Sequence, residues 1–355
     1  MKTLTLTLSR PSVRRGGMGE GVMKRVLKLL ISLVVRGWDI LRIGLLWLIG
    51  RQPPSSCVVL YYHGIQAAQR ERFARQMDEL LRLTRPLRAG YGLPHPGPLP
   101  PAAPAPACLP WLTQAGAGRR QRGQSDGRGK RGRDTLQPGG RYSAVTFDDG
   151  FVSVLNNALP ELEQRGIPAT WFIPSGCLGR RPPWLTNPES SAWQERILTE
   201  EQLVSLKDHP MLSVGSHSVT HPRLPDLLDE ACVRELRQSK SDLERILGQQ
   251  ITEFSFPHGK CDERSIQLAK AAGYKRVFTI QPALALRSAS EFVTGRVAVD
   301  PEDWRLEFRL KLLGAYRWGA FPALRNWRPG RNAVTKPSPE CADPVGPEMA
   351  GANVR

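Results

Sequence analysis

Short apolar segments and longer amphipathic segments alternate along residues 141–300. The segment 142–147 (YSAVTF) is a short run of apolar and β-branched residues, whereas 152–166 (VSVLNNALPELEQRG) repeats apolar residues every three to four positions. The first pattern predicts a buried strand and the second an amphipathic helix. Further strands are predicted at 57–62, 168–174, 211–216, 251–256, 274–280 and 291–299, and further helices at 70–83, 199–209, 229–248 and 262–273.

The regular alternation with short connections is typical of a parallel α/β fold. Seven or so parallel strands predict a barrel, and a parallel barrel places its chemistry at the carboxyl ends of its strands. The chain has 355 residues, of which 40% are hydrophobic, and this is enough for one such domain over residues 52–300 with extensions at both ends.

One segment interrupts the barrel pattern. Residues 86–140 are rich in proline and then in glycine and arginine, which predicts a disordered insertion without a core of its own. Residues 119–141 carry eight basic and two acidic side chains, and they contribute much of the excess of 50 Lys+Arg over 33 Asp+Glu. These arginines are not interleaved with aromatic residues and form no recognisable motif, so we expect no nucleic-acid partner.

The N-terminal region has two parts. Residues 1–22 are predicted to be a disordered leader, and residues 23–51 an apolar helix. Arg36, Asp39 and Arg42 prevent an uninterrupted membrane-spanning segment. An amphipathic helix that lies at a membrane interface fits this pattern, and packing against the protein's own domain is the alternative. No convincing signal-peptide cleavage site follows the helix.

The C-terminal region contains a second amphipathic, basic segment. Residues 301–335 are predicted to be helical, and residues 336–355 to be a disordered tail. Trp304, Trp318 and Trp327 stand near arginines, a combination suited to a membrane surface, while packing against the barrel is the alternative. The two terminal helices together predict a peripheral membrane protein, with a cytoplasmic location as the alternative. The six cysteines are scattered without a CxxC pair, so free thiols are expected.

Polar residues of catalytic type follow four of the predicted strands. In chain order they are His63, the pair Asp148 and Asp149, the pair His217 and His221, and His258. Because the carboxyl ends of parallel strands meet at one end of a barrel, we expect these side chains to share a site.

The spacing of His217 and His221 is that of a two-histidine metal site, since residues four apart lie on one side of a helical turn. Either Asp148 or Asp149 can add a carboxylate, which completes a two-histidine, one-carboxylate set suited to zinc or another divalent ion. The remaining aspartate can then accept a proton as a general base. For an isolated DDG sequence, a turn or a helix cap is the alternative interpretation.

Three motifs occur in a characteristic order: TFDDGF (146–151), SHSVTH (216–221) and FSFPHGK (254–260). They resemble those of the polysaccharide deacetylases of the NodB-homology group, carbohydrate esterase family four. The resemblance covers residues 57–80 and 141–300. It implies a distorted (β/α)7 barrel that hydrolyses the N-acetyl group of an amino sugar and releases acetate and a free amine.

The same resemblance implies roles for single residues. Asp148 is expected to be the general base, and Asp149, His217 and His221 are expected to be the ligands of a divalent metal, with Zn²⁺ favoured. The backbone N–H of His258 is expected to form part of an oxyanion hole, where such a donor contributes on the order of 3 kcal/mol. The expected substrate is an N-acetylated polysaccharide or glycolipid, and the expected state is a monomer.

The chain departs from the family pattern at two places. Many members have a C-terminal LxHD-type motif whose histidine is the general acid, but no histidine follows His258 here. His63 is the predicted acid, as in the permuted members that include the biofilm poly-N-acetylglucosamine deacetylases; a structural histidine is the alternative. Many members also have an arginine in the third motif that orients the base, and Arg296 is the predicted substitute for it.

Three tryptophans, Trp184, Trp193 and Trp304, are candidates for stacking on sugar rings, with core packing as the alternative. Two other functions suit the same scaffold. One is a catalytically inactive barrel that binds carbohydrate, and the other is an amidohydrolase acting on a small acylated substrate.

Overall fold

The structure is a computed structural model that describes residues 18–90, 139–188, 191–286, 288 and 290–320. The predicted tail (336–355) lies outside the described residues, as do most of the predicted leader, most of the insertion and the last part of the predicted C-terminal helix. The described cysteines Cys57, Cys232 and Cys261 are free thiols.

The described chain forms nine strands and seven α-helices. The strands are β1 (Ser56–Tyr62), β2 (Arg85–Leu87), β3 (Arg141–Phe147), β4 (Ala169–Ile173), β5 (Leu212–Ser216), β6 (Glu253–Ser255), β7 (Arg276–Thr279), β8 (Val293–Gly295) and β9 (Val297–Ala298). The helices are α1 (Met18–Leu48), α2 (Arg70–Leu83), α3 (Leu159–Arg165), α4 (Glu200–Ser205), α5 (Asp229–Leu247), α6 (Glu263–Ala271) and α7 (Arg305–Leu312).

The strands form one parallel sheet in the order β8-β7-β6-β5-β4-β3-β1-β9. The two strands at its ends, β8 and β9, are consecutive along the chain and are separated only by Arg296. This one segment therefore closes the sheet, pairing with β7 on one side and with β1 on the other. The result confirms the predicted (β/α)7 barrel, with β8 and β9 together serving as its seventh strand.

Side chains alternate between the inside of the barrel and the surrounding helices. Along β1, Val58, Leu60 and Tyr62 belong to the large cluster between strands and helices, while Val59 belongs to a smaller cluster with Phe172 and Phe278. This period of two is what a strand with two buried faces requires. The barrel is filled with side chains, so the open space for a ligand lies at its ends.

The structure corrects the boundaries predicted for the insertion. Residues 85–87, which overlap the predicted start of the insertion at residue 86, form β2 and pair with Tyr142–Ala144 of β3. The polypeptide is then described as far as residue 90. The proline at position 86 is compatible with a strand because β2 lies off the main path of the sheet and pairs only with β3.

The terminal helices also differ from the prediction. Helix α1 begins at Met18 rather than at residue 23. The C-terminal segment was predicted to be helical over 301–335, but its described part is the short helix α7 followed by a 3-10 segment at Ala315–Ala320. Gly314, with a left-handed φ of 72°, separates the two. Helix α7 buries Phe308, Leu310 and Leu312, so it packs against the domain.

None of the described helices is both long enough and apolar enough to cross a membrane.

A buried carboxyl group at the amino end of the barrel should make stability depend on pH. Glu253, the first residue of β6, has an Oε2 atom that is buried without a hydrogen-bond partner. Burial raises the pKa of Glu253 to about 7, against the attraction of Arg276 and Arg88. The pKa of Glu253 is higher in the folded state than in the unfolded state. Its contribution to the free energy of unfolding is therefore most favourable below the unfolded-state pKa, and this contribution is lost as the pH rises through about 7.

We therefore expect Glu253→Gln to be stabilising relative to the wild type at pH 8 but not at pH 4, with a change on the order of 1–3 kcal/mol in the free energy of unfolding. Urea unfolding of both proteins across this pH range measures the difference. A constant difference between the two proteins at every pH would contradict the expectation.

Candidate active site

A cavity of about 330 Å³ opens at the carboxyl end of the barrel. Six of the seven residues predicted for the site line it, namely His63, Asp148, Asp149, His217, His221 and His258. The seventh, Arg296, does not line the cavity; it is completely buried and contacts Asp148. The structure thus brings together side chains that follow β1, β3, β5 and β6 with one that lies between β8 and β9.

Asp149, His217 and His221 face one another at the centre of this cavity. The Asp149 Oδ1 atom lies 3.4 Å from His217 Nε2 and 3.1 Å from His221 Nε2. The three side chains are buried, and their possible ligand atoms lie within 4.8 Å of one another. The backbone carbonyl of Ser255 accepts a 2.8 Å hydrogen bond from His217 Nδ1. This bond assigns the proton to Nδ1 and leaves the Nε2 lone pair directed at Asp149.

These residues fit a divalent metal. The Asp149 Oδ1 atom is buried and makes no hydrogen bond, although two imidazole nitrogens lie next to it. Burial alone would raise the pKa of Asp149, but His217 and His221 hold it well below its usual range. Burial lowers the pKa of His221. An ionised carboxylate and neutral imidazoles are the protonation states that a metal requires of its ligands, and this donor set is one that zinc uses in catalytic sites.

The loop after β5 differs from the predicted helical turn. Ser218 and His221 have left-handed φ values of 66° and 63°, so a sharp loop rather than a helix brings the two histidines together. The Glu235 carboxylate accepts hydrogen bonds from the backbone N–H groups of Val219 and Thr220 at 2.8 and 3.0 Å. Non-glycine residues rarely occupy this region without support, and the carboxylate supplies it here.

Asp148 is held by Arg296 through two parallel hydrogen bonds. Arg296 Nη1 donates to Asp148 Oδ1 and Nη2 donates to Oδ2, each at 2.8 Å. The same guanidinium donates to Thr146 Oγ1 at 3.1 Å and to Ser255 Oγ at 2.7 Å. Burial would raise the pKa of Asp148, but the charge and hydrogen bonds of Arg296 together with the nearby histidines outweigh burial, and the pKa lies below its ordinary value. Asp148 is therefore ionised and fixed in orientation.

His63 stands exposed at the mouth of the cavity, directly after β1. The loop that carries it is fastened by side chains from other parts of the chain. Gln66 Nε2 donates to Glu195 Oε1 at 2.5 Å, and the backbone N–H of Ile65 donates to Ser153 Oγ at 3.2 Å. Glu195 is buried, and burial raises its pKa. Sequence reasoning missed Glu195 because it lies in an aperiodic loop that carries no recognisable motif.

The close packing around Gly64 yields a prediction for this loop. A Cβ atom on Gly64 would lie 2.5 Å from Glu195 Oε1 and 2.9 Å from Ser153 Oγ. Gly64→Ala therefore requires either the loop to move or these two side chains, which fasten it, to shift, and both changes loosen the position of His63. We expect kcat for any reaction that uses His63 to fall about tenfold to a hundredfold. Zinc affinity should not change, because the loop supplies none of the three ligands. Gly44→Ala is the matched control, since nothing lies within 4 Å of the added Cβ. Unchanged kcat in Gly64→Ala would contradict this view of the loop.

The three predicted sugar-stacking tryptophans lie in different places. Trp184 lines the cavity and stacks on the His221 imidazole, with ring centroids 3.8 Å apart. Trp193 is covered by the Arg181 guanidinium at 3.1 Å, and Trp304 by the Arg25 guanidinium at 4.4 Å. Of the three, only Trp184 is positioned to contact a ligand in this cavity.

Comparison with known proteins agrees with this fold. Residues 136–277 match the family model for polysaccharide deacetylase. A protein of Bacillus subtilis (strain 168) described as "Putative polysaccharide deacetylase YxkH" is 28% identical over 165 residues, which is 46% of this chain and 54% of that protein. The chain therefore spans about half the length of this curated relative.

Among solved structures, IcaB from Ammonifex degensii has a similar fold. The TM-score is 0.52 with 21% sequence identity, over 73% of this chain and 98% of that chain. The match to the family model and the curated relative confirm the family that the three motifs predicted. Residues 136–277 of this chain are thus similar to the polysaccharide deacetylase family.

Proposed function

We propose that the protein is a metal-dependent hydrolase that removes N-acetyl groups from the amino sugars of a polysaccharide or a lipid-linked glycan. The observation that carries this proposal is the pair of adjacent carboxylates with different surroundings. Asp149 faces two imidazoles, whereas Asp148 is clamped by a buried arginine. One carboxylate is thus placed to bind a cation, and its neighbour is placed to accept a proton.

The groups that would hold the metal are Asp149 Oδ1 and the Nε2 atoms of His217 and His221, and Zn²⁺ is the ion we favour. When bound, a divalent ion supplies Lewis-acid polarisation of the acetyl carbonyl and of water at this site. The proton transfers and the hydrogen bonds in the proposed hydrolysis come from side chains and backbone groups of this chain.

Asp148 accepts the proton of the water molecule that attacks the acetyl carbonyl carbon. Arg296 keeps its carboxylate ionised and aimed into the cavity, which is what a general base requires. The carbonyl oxygen gains negative charge as the new C–O bond forms. The backbone N–H of His258, on a residue with a left-handed φ of 55° at the cavity wall, is our candidate donor to that oxygen.

His63 protonates the sugar nitrogen as the C–N bond breaks. Water has then supplied an oxygen atom to the acetyl carbon, and the products are acetate and a free amine. An amine expelled without a proton is a poor leaving group, so the acid matters most for an amide substrate.

Activity measurements separate this function from the two alternatives. The purified protein is incubated with Zn²⁺ and either N-acetylglucosamine oligomers or an N-acetyl amino acid, and both acetate and free amine are quantified. Release from the oligomers alone supports the proposal. Release from the amino acid alone indicates an amidohydrolase for small substrates, and oligomer binding without any release indicates a carbohydrate-binding barrel.

The role of His63 has its own test. We expect His63→Ala to lower kcat on the oligomers about 100-fold or more, and to lower hydrolysis of an activated acetate ester much less, because the ester's leaving group needs no proton. Equal losses on the amide and on the ester would contradict a role as general acid.

A further inference from the structure

Most of the exposed large apolar side chains of the described residues lie on or next to α1. Fourteen of the twenty such side chains fall between residues 22 and 49. They are Val22, Met23, Val26, Leu27, Leu30, Leu33, Val34, Trp38, Ile40, Leu41, Leu45, Trp47, Leu48 and Ile49. We call this set the outer face of α1. An exposed apolar surface of this extent marks a site of interaction with a protein or a membrane.

Three polar side chains of α1, Arg25, Ser32 and Asp39, point in the opposite direction, towards the domain. Asp39 receives two hydrogen bonds from Arg317, at 2.8 and 2.6 Å. Ser32 is buried and accepts a 2.8 Å hydrogen bond from Trp318 Nε1. Arg25 donates to Glu307 at 2.6 Å. A helix on the surface of a soluble domain shows the reverse arrangement, with its apolar stripe inward and its polar face in water.

The exposed charged side chains that flank the outer face of α1 are positive. Lys28 and Arg42 are exposed, and Arg51 follows shortly after the helix. The sequence 22–51 contains one acidic residue, Asp39, and this residue is paired with Arg317. The outer face is therefore apolar and is flanked by positive charges. These properties complement a membrane whose interior is apolar and whose headgroup region is anionic.

We propose that α1 lies flat in the headgroup region of a membrane that contains anionic lipids, with its outer face in the lipid and its polar face holding the domain. The 31-residue helix is about 46 Å long, and its inner side is fixed to the domain through Arg25 in its first part and Asp39 in its second half. Lipid can therefore cover only one side of it. Trp38 and Trp47, both on the outer face, are residue types suited to the lipid–water boundary.

A second copy of the chain is the competing occupant of the outer face. Pairing two outer faces would place the exposed cationic side chains Lys28 and Arg42 of each copy close to those of the other, without acidic partners from this helix. Anionic lipid headgroups neutralise the same charges. Charge complementarity therefore favours lipid over self-association.

Vesicle flotation of the full chain tests this proposal. The protein is mixed with vesicles of phosphatidylcholine alone, or of phosphatidylcholine with phosphatidylglycerol, and the bound fraction is measured. We expect strong binding to the anionic vesicles, and a loss of at least about tenfold in partition coefficient in the double variant Val34→Asp/Leu41→Asp. Lys28→Glu/Arg42→Glu should reduce the preference for phosphatidylglycerol.

Leu228→Asp is the matched control, because Leu228 is 83% exposed and lies just before α5 rather than on the outer face. This variant should bind vesicles as the wild type does. Far-UV circular dichroism and thermal unfolding establish that each variant is folded. Wild-type protein that fails to bind either vesicle, or binding that Val34→Asp/Leu41→Asp leaves intact, would overturn the proposal. A dimer in light scattering that the same double variant dissociates, together with no vesicle binding, would assign the outer face to a second copy.

Discussion

Asp148→Asn is expected to lower kcat for deacetylation by about 10²–10⁴-fold while zinc still binds to the protein. Asparagine has the shape of aspartate and can still accept one hydrogen bond from Arg296, but it cannot take a proton from water. The three proposed metal ligands do not include this residue. Acetate release under saturating substrate gives kcat, and calorimetric titration with Zn²⁺ gives the affinity and stoichiometry.

Asp149→Asn is the informative comparison for this experiment. It differs from Asp148→Asn by one position in the chain, yet it weakens a proposed metal ligand and should reduce zinc affinity as well as activity. Near-normal turnover in Asp148→Asn, or an equal loss of zinc affinity in both variants, would contradict the proposal that Asp148 is the general base and Asp149 a metal ligand.

Arg296→Ala is expected to reduce both stability and activity. The guanidinium is completely buried, and its loss leaves the buried Asp148 carboxylate without its two hydrogen bonds. Breaking a buried ion pair from one side costs about 3–5 kcal/mol in the free energy of unfolding. The base also loses its orientation and the positive charge that lowers its pKa. Urea unfolding and acetate release measure the two effects.

Two further variants separate the charge of Arg296 from its geometry. Arg296→Lys keeps a positive charge but cannot form two parallel hydrogen bonds, so it should recover only part of the loss. Arg245→Ala removes an arginine that is exposed and 3.8 Å from Glu200, and it should change neither property. Normal turnover and normal stability in Arg296→Ala would contradict the claim that this arginine orients Asp148 and stabilises its carboxylate.

The sequence was most informative about the strand ends. Each parallel strand is a short apolar run, so the residue at which it ends can be located in the sequence. The carboxyl ends of all strands of a parallel barrel lie at the same end of the barrel. This reasoning is sufficient to group His63 with Asp148, Asp149 and His217. Arg296 was predicted in a different way, from the resemblance to the family, as the substitute for an arginine that orients the base; the structure shows that its segment closes the barrel beside β1.

Loop conformation and long-range pairing could not be predicted in the same way. The left-handed Ser218 and His221 have no periodic signature, so the sequence pattern predicts a helical turn where the structure has a sharp loop after β5. The clamp on the His63 loop depends on Glu195, which is 129 residues from Gln66. Arg317 and Asp39 are 278 residues apart, and their pairing decides which side of α1 faces outward. Such contacts follow from the folded arrangement and not from local sequence pattern.

The most direct test of the central claim is the rate of acetate release from an N-acetylglucosamine oligomer as metal-free protein is titrated with Zn²⁺. If Asp149, His217 and His221 hold the catalytic ion and Asp148 acts beside it, the rate rises with added zinc and levels off at one equivalent per chain. Asp149→Asn should require far more zinc to reach any rate. Acetate release that is independent of zinc, or no release at any zinc concentration although one equivalent is bound, would contradict the account.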